Sequence, residues 1–306
     1  MAKAWLDISR FSGLNIVDPP ERLLPGEDGA YPLRVAENVI LDDTKALSTR
    51  PGTSRKLSIA GAHSLWANQA ETIALYVRDN ALYSLSEAGG VYSATLIRSA
   101  LPSGFRMSYA ELSGMIFYTN NAQTGYLDRN LFDHAIPEPD QEFKVALPAG
   151  RFIEYYRGRM YVAVDNVLWF TDPGAPFRVD QRHGFIQLES SIRLLRAVDY
   201  GIYLSDEEKI YFLDGLSPKE STMKLVKPYP AIPYTDVTFN GQSYANGETA
   251  GKMAIFTTQE GVCIGTSTGE VINITENKYI IGTFFKGAGL VIPEAGKTRY
   301  LGILSR

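Results

Sequence analysis

From about residue 36 onward, short apolar runs alternate with clusters of Asp, Asn, Ser and Gly, the pattern of β-strands joined by tight turns. Five stretches repeat one design of strand, short polar turn and strand. They are IALYVRDNALYSL from Ile73, GMIFYTNNAQTGYL from Gly114, GRMYVAVDNVLWFTD from Gly158, YGIYLSDEEKIYFLDG from Tyr200 and EGVCIGTSTGEVINIT from Glu260. Their turns, Arg78-Asp79-Asn80, Asn120 to Gly125, Asp165-Asn166, Asp206 to Lys209 and Ser267-Thr268-Gly269, use residue types that tolerate the backbone of a tight hairpin. The repeats start at intervals of roughly 41, 44, 42 and 60 residues, close to the roughly 40 to 50 residues of a propeller blade. No stretch carries a convincing 3.6-residue amphipathic period; the nearest, SSIRLLRAV at 190–198, reads equally as a strand.

The pattern predicts an all-β fold, a β-propeller of about six blades, with a β-sandwich as the alternative architecture. The long last interval contains the Pro- and Gly-rich segment 227–251, expected as an extended loop or an extra strand pair on one face. Two further strand-like pieces, 37–59 and 284–305, flank the array. Pairing them would make a composite blade whose terminal strands close the ring, removing the two unpaired edges of an open array. The propeller domain so defined covers residues 36–306.

Residues 1–35 differ from the rest. Pro19, Pro20, Pro25 and Pro32 remove backbone donors and hold their predecessors extended, so this part reads as an N-terminal arm. Its apolar residues Leu14, Ile16, Val17, Leu23 and Leu24 are too many for a solvated linker. Together with Pro19, Pro20 and Pro25 they are expected to form an assembly arm that lies against this molecule or a neighbour.

Composition narrows the function classes. The chain has 306 residues, 45% hydrophobic and 21% charged, with 27 Gly, 16 Pro and 18 Tyr, which fits a turn-rich globular β protein. A net charge of −4 makes counterion release from a phosphate backbone a poor main driving force, although non-specific proximity to DNA stays open. The single cysteine, Cys263, allows neither an internal disulfide nor a cysteine-based zinc site, and it falls at a core position of a strand. The N-terminus has no leader-like apolar run, and no stretch approaches the ~20 apolar residues of a membrane helix. Synthesis and folding in a cytosol are expected.

The search for chemistry returns no site. Gly265-Thr266-Ser267-Thr268-Gly269 matches the G-x-S-x-G nucleophile elbow, but it lies between two strands, and no histidine follows His183; a hairpin turn is the better reading. His63, His134 and His183 fall on separate repeats without metal-ligand spacing. The acidic turn Asp206-Glu207-Glu208 lacks the EF-hand pattern and reads as a solvated hairpin tip. No catalytic, cofactor-binding or metal-ligating residue is assigned, and a non-enzymatic protein without a cofactor is expected. A glycan-degrading propeller would need a pair of carboxylates facing one cleft.

With catalysis unsupported, the arm and the repeats become informative. Gly13-Leu14-Asn15-Ile16-Val17-Asp18-Pro19-Pro20, Leu24-Pro25-Gly26-Glu27, Ala36-Glu37-Asn38-Val39-Ile40-Leu41 and Arg50-Pro51-Gly52 resemble the N-terminal pattern of tail nozzle, tail hub and packaged-DNA stabilisation proteins of bacteriophages. The stretch from Gly201 to Gly215 followed by Ser217-Pro218 is similar to their propeller repeats. This chain is shorter than the nozzle proteins of short-tailed phages, which leaves a nozzle, a hub, a tail tip or a baseplate as equal stations. The resemblance implies a structural component of a phage tail, assembled in the host bacterial cytoplasm and carried in the virion. Its implied partners are other tail or head-tail connector proteins and further copies of itself. A host-surface or glycan-binding propeller of the tail tip is the alternative function.

Overall fold

A computed structural model describes residues 9–42, 44–50, 52, 54, 56–215, 217–218, 220–243, 251–294 and 297–306. Among the described residues there is no α-helix, only strands and two three-residue 3-10 turns, Pro20–Arg22 and Gly241–Ser243. Five four-stranded antiparallel sheets follow one another along the chain. The first strands of blades one to five are His63–Ala67, Ser108–Leu112, Phe152–Tyr156, Leu194–Val198 and Val237–Asn240. The fold is a five-bladed β-propeller.

Local chemistry explains the hairpins. Asp79-Asn80, Ser113-Gly114 and Arg157-Gly158 all sit at positive φ, the backbone of the two-residue turn that matches strand twist. Asp and Asn tolerate that region and Gly occupies it freely, so the turn residues set the register of the strands they join.

The strands of blades two to five carry apolar residues on both faces because these blades are covered on two sides. Leu75, Val77 and Leu82 of blade one pack with Tyr109, Ile116 and Tyr118 of blade two. Phe117 of blade two meets Ile153, Met160 and Val162 of blade three. Phe152 and Leu168 meet Leu195, Ile202 and Leu204 between blades three and four. Tyr203 and Phe212 meet Ala254, Phe256 and Cys263 between blades four and five. At about 1.5–3 kcal/mol for each large side chain removed from water, these layers are the main stabilising feature of the ring.

Two expectations are corrected here. The terminal pieces do not combine into a sixth blade: among the described residues Val39–Leu41 pairs with Leu47–Thr49 in a sheet of two, while Lys286–Glu294 pairs with Lys297–Ser305 as a separate nine-by-nine hairpin. That terminal hairpin packs Val291 and Tyr300 on Met253, Ile255 and Ile264 of blade five, so the position beside blade five holds two strands instead of four. The segment 227–251 is also more than a loop, because residues 237–240 are the first strand of blade five and pair with Lys252–Thr258. The fifth sequence repeat is therefore set one strand late. Lys252–Thr258 and Gly261–Gly265 correspond to the pairs seen in the other blades, and Gly261 to Asn273 holds the third and fourth strands.

The arm is partly structured. Phe11–Leu14 pairs in parallel with Tyr31–Leu33, and the Ile16 amide donates to the Lys278 carbonyl at 2.8 Å, just beyond blade five.

Candidate functional site: the ring axis, the arm and the terminal hairpin

The first strands of blades two to five lie side by side, so residues entering them meet although far apart in the chain. Arg106 precedes the first strand of blade two, Arg151 that of blade three and Tyr234 that of blade five. The two guanidinium carbons lie 4.9 and 5.1 Å from the centre of the Tyr234 ring. Arg106 donates to the Gly287 carbonyl of the terminal hairpin, and Arg151 Nε donates to the Tyr234 hydroxyl at 3.2 Å. Tyr234 holds φ +66°, a left-handed backbone that costs a bulky residue energy and persists only where its surroundings enforce it. His63, at the start of blade one, is pushed below the usual histidine range by burial and then by the Arg106 charge.

One step further along the strands, Arg196 links three blades. Its Nε donates to Asp236 Oδ2 at 2.8 Å and its Nη1 to Glu154 Oε2 at 3.1 Å. Burial pulls the Arg196 pKa down, but Asp236 and Glu154 outweigh this and hold it above the ordinary arginine value. Burial raises the Glu154 pKa against the pull of Arg196.

At the opposite end of these strands, Arg157, Tyr200, Phe212, Asp214, Gly215 and Thr268 line a cavity of about 340 Å³. A second, apolar cavity of about 180 Å³ lies between blade five and the terminal hairpin, lined by Ile255, Ile264, Val291 and Tyr300 among others. Burial pushes the Tyr300 hydroxyl up to about 12, and it donates to the Thr235 carbonyl at 2.7 Å.

The outer face of the terminal hairpin is uncovered. Leu290 faces Leu301 across the strands, and Ala288 faces Ile303; Leu290, Leu301 and Ile303 are 51%, 40% and 65% exposed. On the arm, Ile16, Val17 and Leu24 are exposed, as are Pro19, Pro20 and Pro25, whereas Leu14 and Leu23 are partly covered. The arm is thus paired through its backbone, and six of its eight singled-out residues, Ile16, Val17, Pro19, Pro20, Leu24 and Pro25, lie exposed.

The residues weighed for chemistry stay apart. Thr266 to Glu270 form the turn between Gly261–Gly265 and Val271–Asn273, as expected of a hairpin. Cys263 is fully buried in the core, and burial raises its thiol pKa. His63, His134 and His183 lie on blades one, two and three. Asp206 Oδ1 accepts from the amides of Glu208 and Lys209, closing its own turn. Among the described residues no group of three or more His, Cys, Asp or Glu is placed to hold a metal ion, and no helix is long and apolar enough to cross a membrane. Sequence reasoning did not single out Arg106, Arg151, Arg196 or Tyr234. The available signal was an arginine just before the first strand in three repeats, Arg106, Arg151 and Arg193.

The arrangement defines a propeller with a charged axis and apolar appendages. No protein-family description matches the sequence, and no curated protein matches it. Among solved structures, it is similar to the extracellular domain of a proposed one component system from B. thetaiotaomicron, with TM-score 0.51 and 12% identity over 98% of this chain. The chain spans 40% of the length of that protein. The N-terminal domain of Nup159 gives TM-score 0.51 and 11% identity over 97% of this chain and 96% of its own. A gluconolactonase from Xanthomonas campestris matches at TM-score 0.45 and 10% identity, over 80% of this chain and 86% of its own. At these identities the likeness concerns the fold alone.

Proposed function

We propose that this chain is a non-enzymatic structural component of a bacteriophage tail, a propeller block of the nozzle, hub, tip or baseplate that acts in virion assembly and genome delivery. The observation that carries the reading is the pair of apolar appendages: the outward face of the terminal hairpin, with Leu290, Leu301 and Ile303, and the arm, with Ile16, Val17 and Leu24. Exposed apolar patches of this kind mark surfaces that other proteins cover, and the arm sequence carries the resemblance to tail proteins. A stiff ring then supplies the block, and the arm, ordering fully only on a neighbour, makes assembly sequential. In a phage carrying the gene, a truncation lacking residues 1–35 keeps the β-rich circular dichroism of a folded ring but yields no infectious particles. Normal particle yield from the truncated gene overturns the arm's role.

A second reading, a host-surface or glycan-binding propeller, is favoured by the 340 Å³ cavity, where exposed Tyr200 stands beside Arg157, Asp214 and Thr268. An aromatic face beside planar hydrogen-bonding groups suits a sugar ring. A glycan array probed with the isolated chain separates the two readings.

A further inference from the structure

Arg106 and Arg151 are a like-charged pair. Both guanidinium carbons lie about 5 Å from one ring centre, so the two charges are within about 10 Å of each other, no more than about a Debye length. Glu154 and Asp236, the carboxylates of the axial layer described above, are paired with Arg196. Among the described residues, neither Arg106 nor Arg151 has an ion pair with an acid; their bonds go to the Gly287 carbonyl and the Tyr234 hydroxyl. Each guanidinium has five N–H donors in a planar fork, so most of the donor set at this end of the axis remains for a further group.

We propose that the axial end formed by Arg106, Arg151 and Tyr234 binds an oxyanion, the charged oxygen group shared by phosphates and carboxylates. Paired guanidinium forks match two oxygens of such a group, and an anion seated there offsets the repulsion between the two cations. Tyr234 is the spacer that sets the pair. Both guanidinium carbons lie about 5 Å from its ring centre, and its φ of +66° is a left-handed backbone that a bulky residue adopts only where its surroundings enforce it. Residues of blades two, three and five, far apart in the chain, thus converge at one place on the axis. His63 stands near Arg106, and Arg196 with its two acids closes the layer below. The site is independent of the tail reading.

The test is calorimetric titration of the full chain with inorganic phosphate and, separately, with succinate. Saturable binding of either supports the proposal and assigns the source of the oxygen group. Arg106→Gln and Arg151→Gln should each weaken the binding at least tenfold, and Arg151→Lys, which keeps the charge but loses the fork, should weaken it less than Arg151→Gln. Because a variant could be destabilised, phosphorus-31 line broadening of phosphate on the unaltered protein gives a reading that needs no substitution. Absence of saturable binding by both anions overturns the site, as does binding that both Gln variants leave intact while folded.

Discussion

At the scale of single residues, the interior of the ring depends on Arg196. It stands on the first strand of blade four and answers acids from blades three and five, so removing it strands two carboxylates in a place that water reaches poorly. Arg196→Met, close in volume, is expected to cost about 3–5 kcal/mol, the range for breaking a buried pair by deleting one partner; its 28% side-chain exposure places it toward the low end. The cost should depend on pH. The folded Glu154 pKa lies above its ordinary value of 4.5, so the stability it contributes is complete below that value and is lost as pH rises through the raised one. Without Arg196 nothing on blade four opposes that rise. Urea midpoints should therefore show a deficit that is small near about pH 4 and large near about pH 8, and a deficit equal at both would refute this account.

At the scale of strands and connections, buried hydroxyls fasten one blade to the next. Thr119 ends the second strand of blade two; its Oγ1 accepts from the Gly150 amide at 2.8 Å and donates to the Gly150 carbonyl at 2.8 Å. Ser205 does the same for blade four, accepting from the Ala231 amide at 3.0 Å. Thr119→Val keeps the shape but orphans the Gly150 amide, whereas the carbonyl still receives the Asn121 amide. A loss of about 1–3 kcal/mol in denaturant unfolding is expected, with Thr119→Ser close to the parent; equal losses in both variants would point to packing instead. These elements also show what could be read beforehand. The first four repeats were legible because a period of two and Asp, Asn or Gly turns leave a local signature. The fifth was misplaced by one strand because KMAIFTTQEGVCIG and EGVCIGTSTGEVINIT carry the same signature, and nothing local says which hairpin of a blade is inner. The axial group was invisible since Arg106, Arg151 and Tyr234 are joined only by closure of the array, a non-local event.

At the scale of the whole molecule, the terminal hairpin stands beside blade five with half the strands of a blade and apolar residues on both faces. Its inner face is fixed by Val291 and Tyr300 against Met253, Ile255 and Ile264, while Leu290 and Leu301, opposite one another, face outward. Among the described residues the strand Lys297–Ser305 pairs with Lys286–Glu294, and a long strand at the end of the array with an apolar face invites another chain. The inner residues therefore serve folding of the single chain, while the outer ones are free to meet another chain. The double variant Leu290→Thr with Leu301→Thr keeps strand-forming residues at both sites and removes only outward apolar surface. Its unfolding free energy in the isolated chain should stay within about 0.5 kcal/mol per site of the parent, as for exposed positions away from special features. Its self-association should fall, with light scattering showing a smaller species than the parent at equal concentration. If the double variant unfolds far earlier than the parent, the outer face is part of the fold of one chain; if it keeps the parent's mass in solution, this face is not where copies of the chain meet.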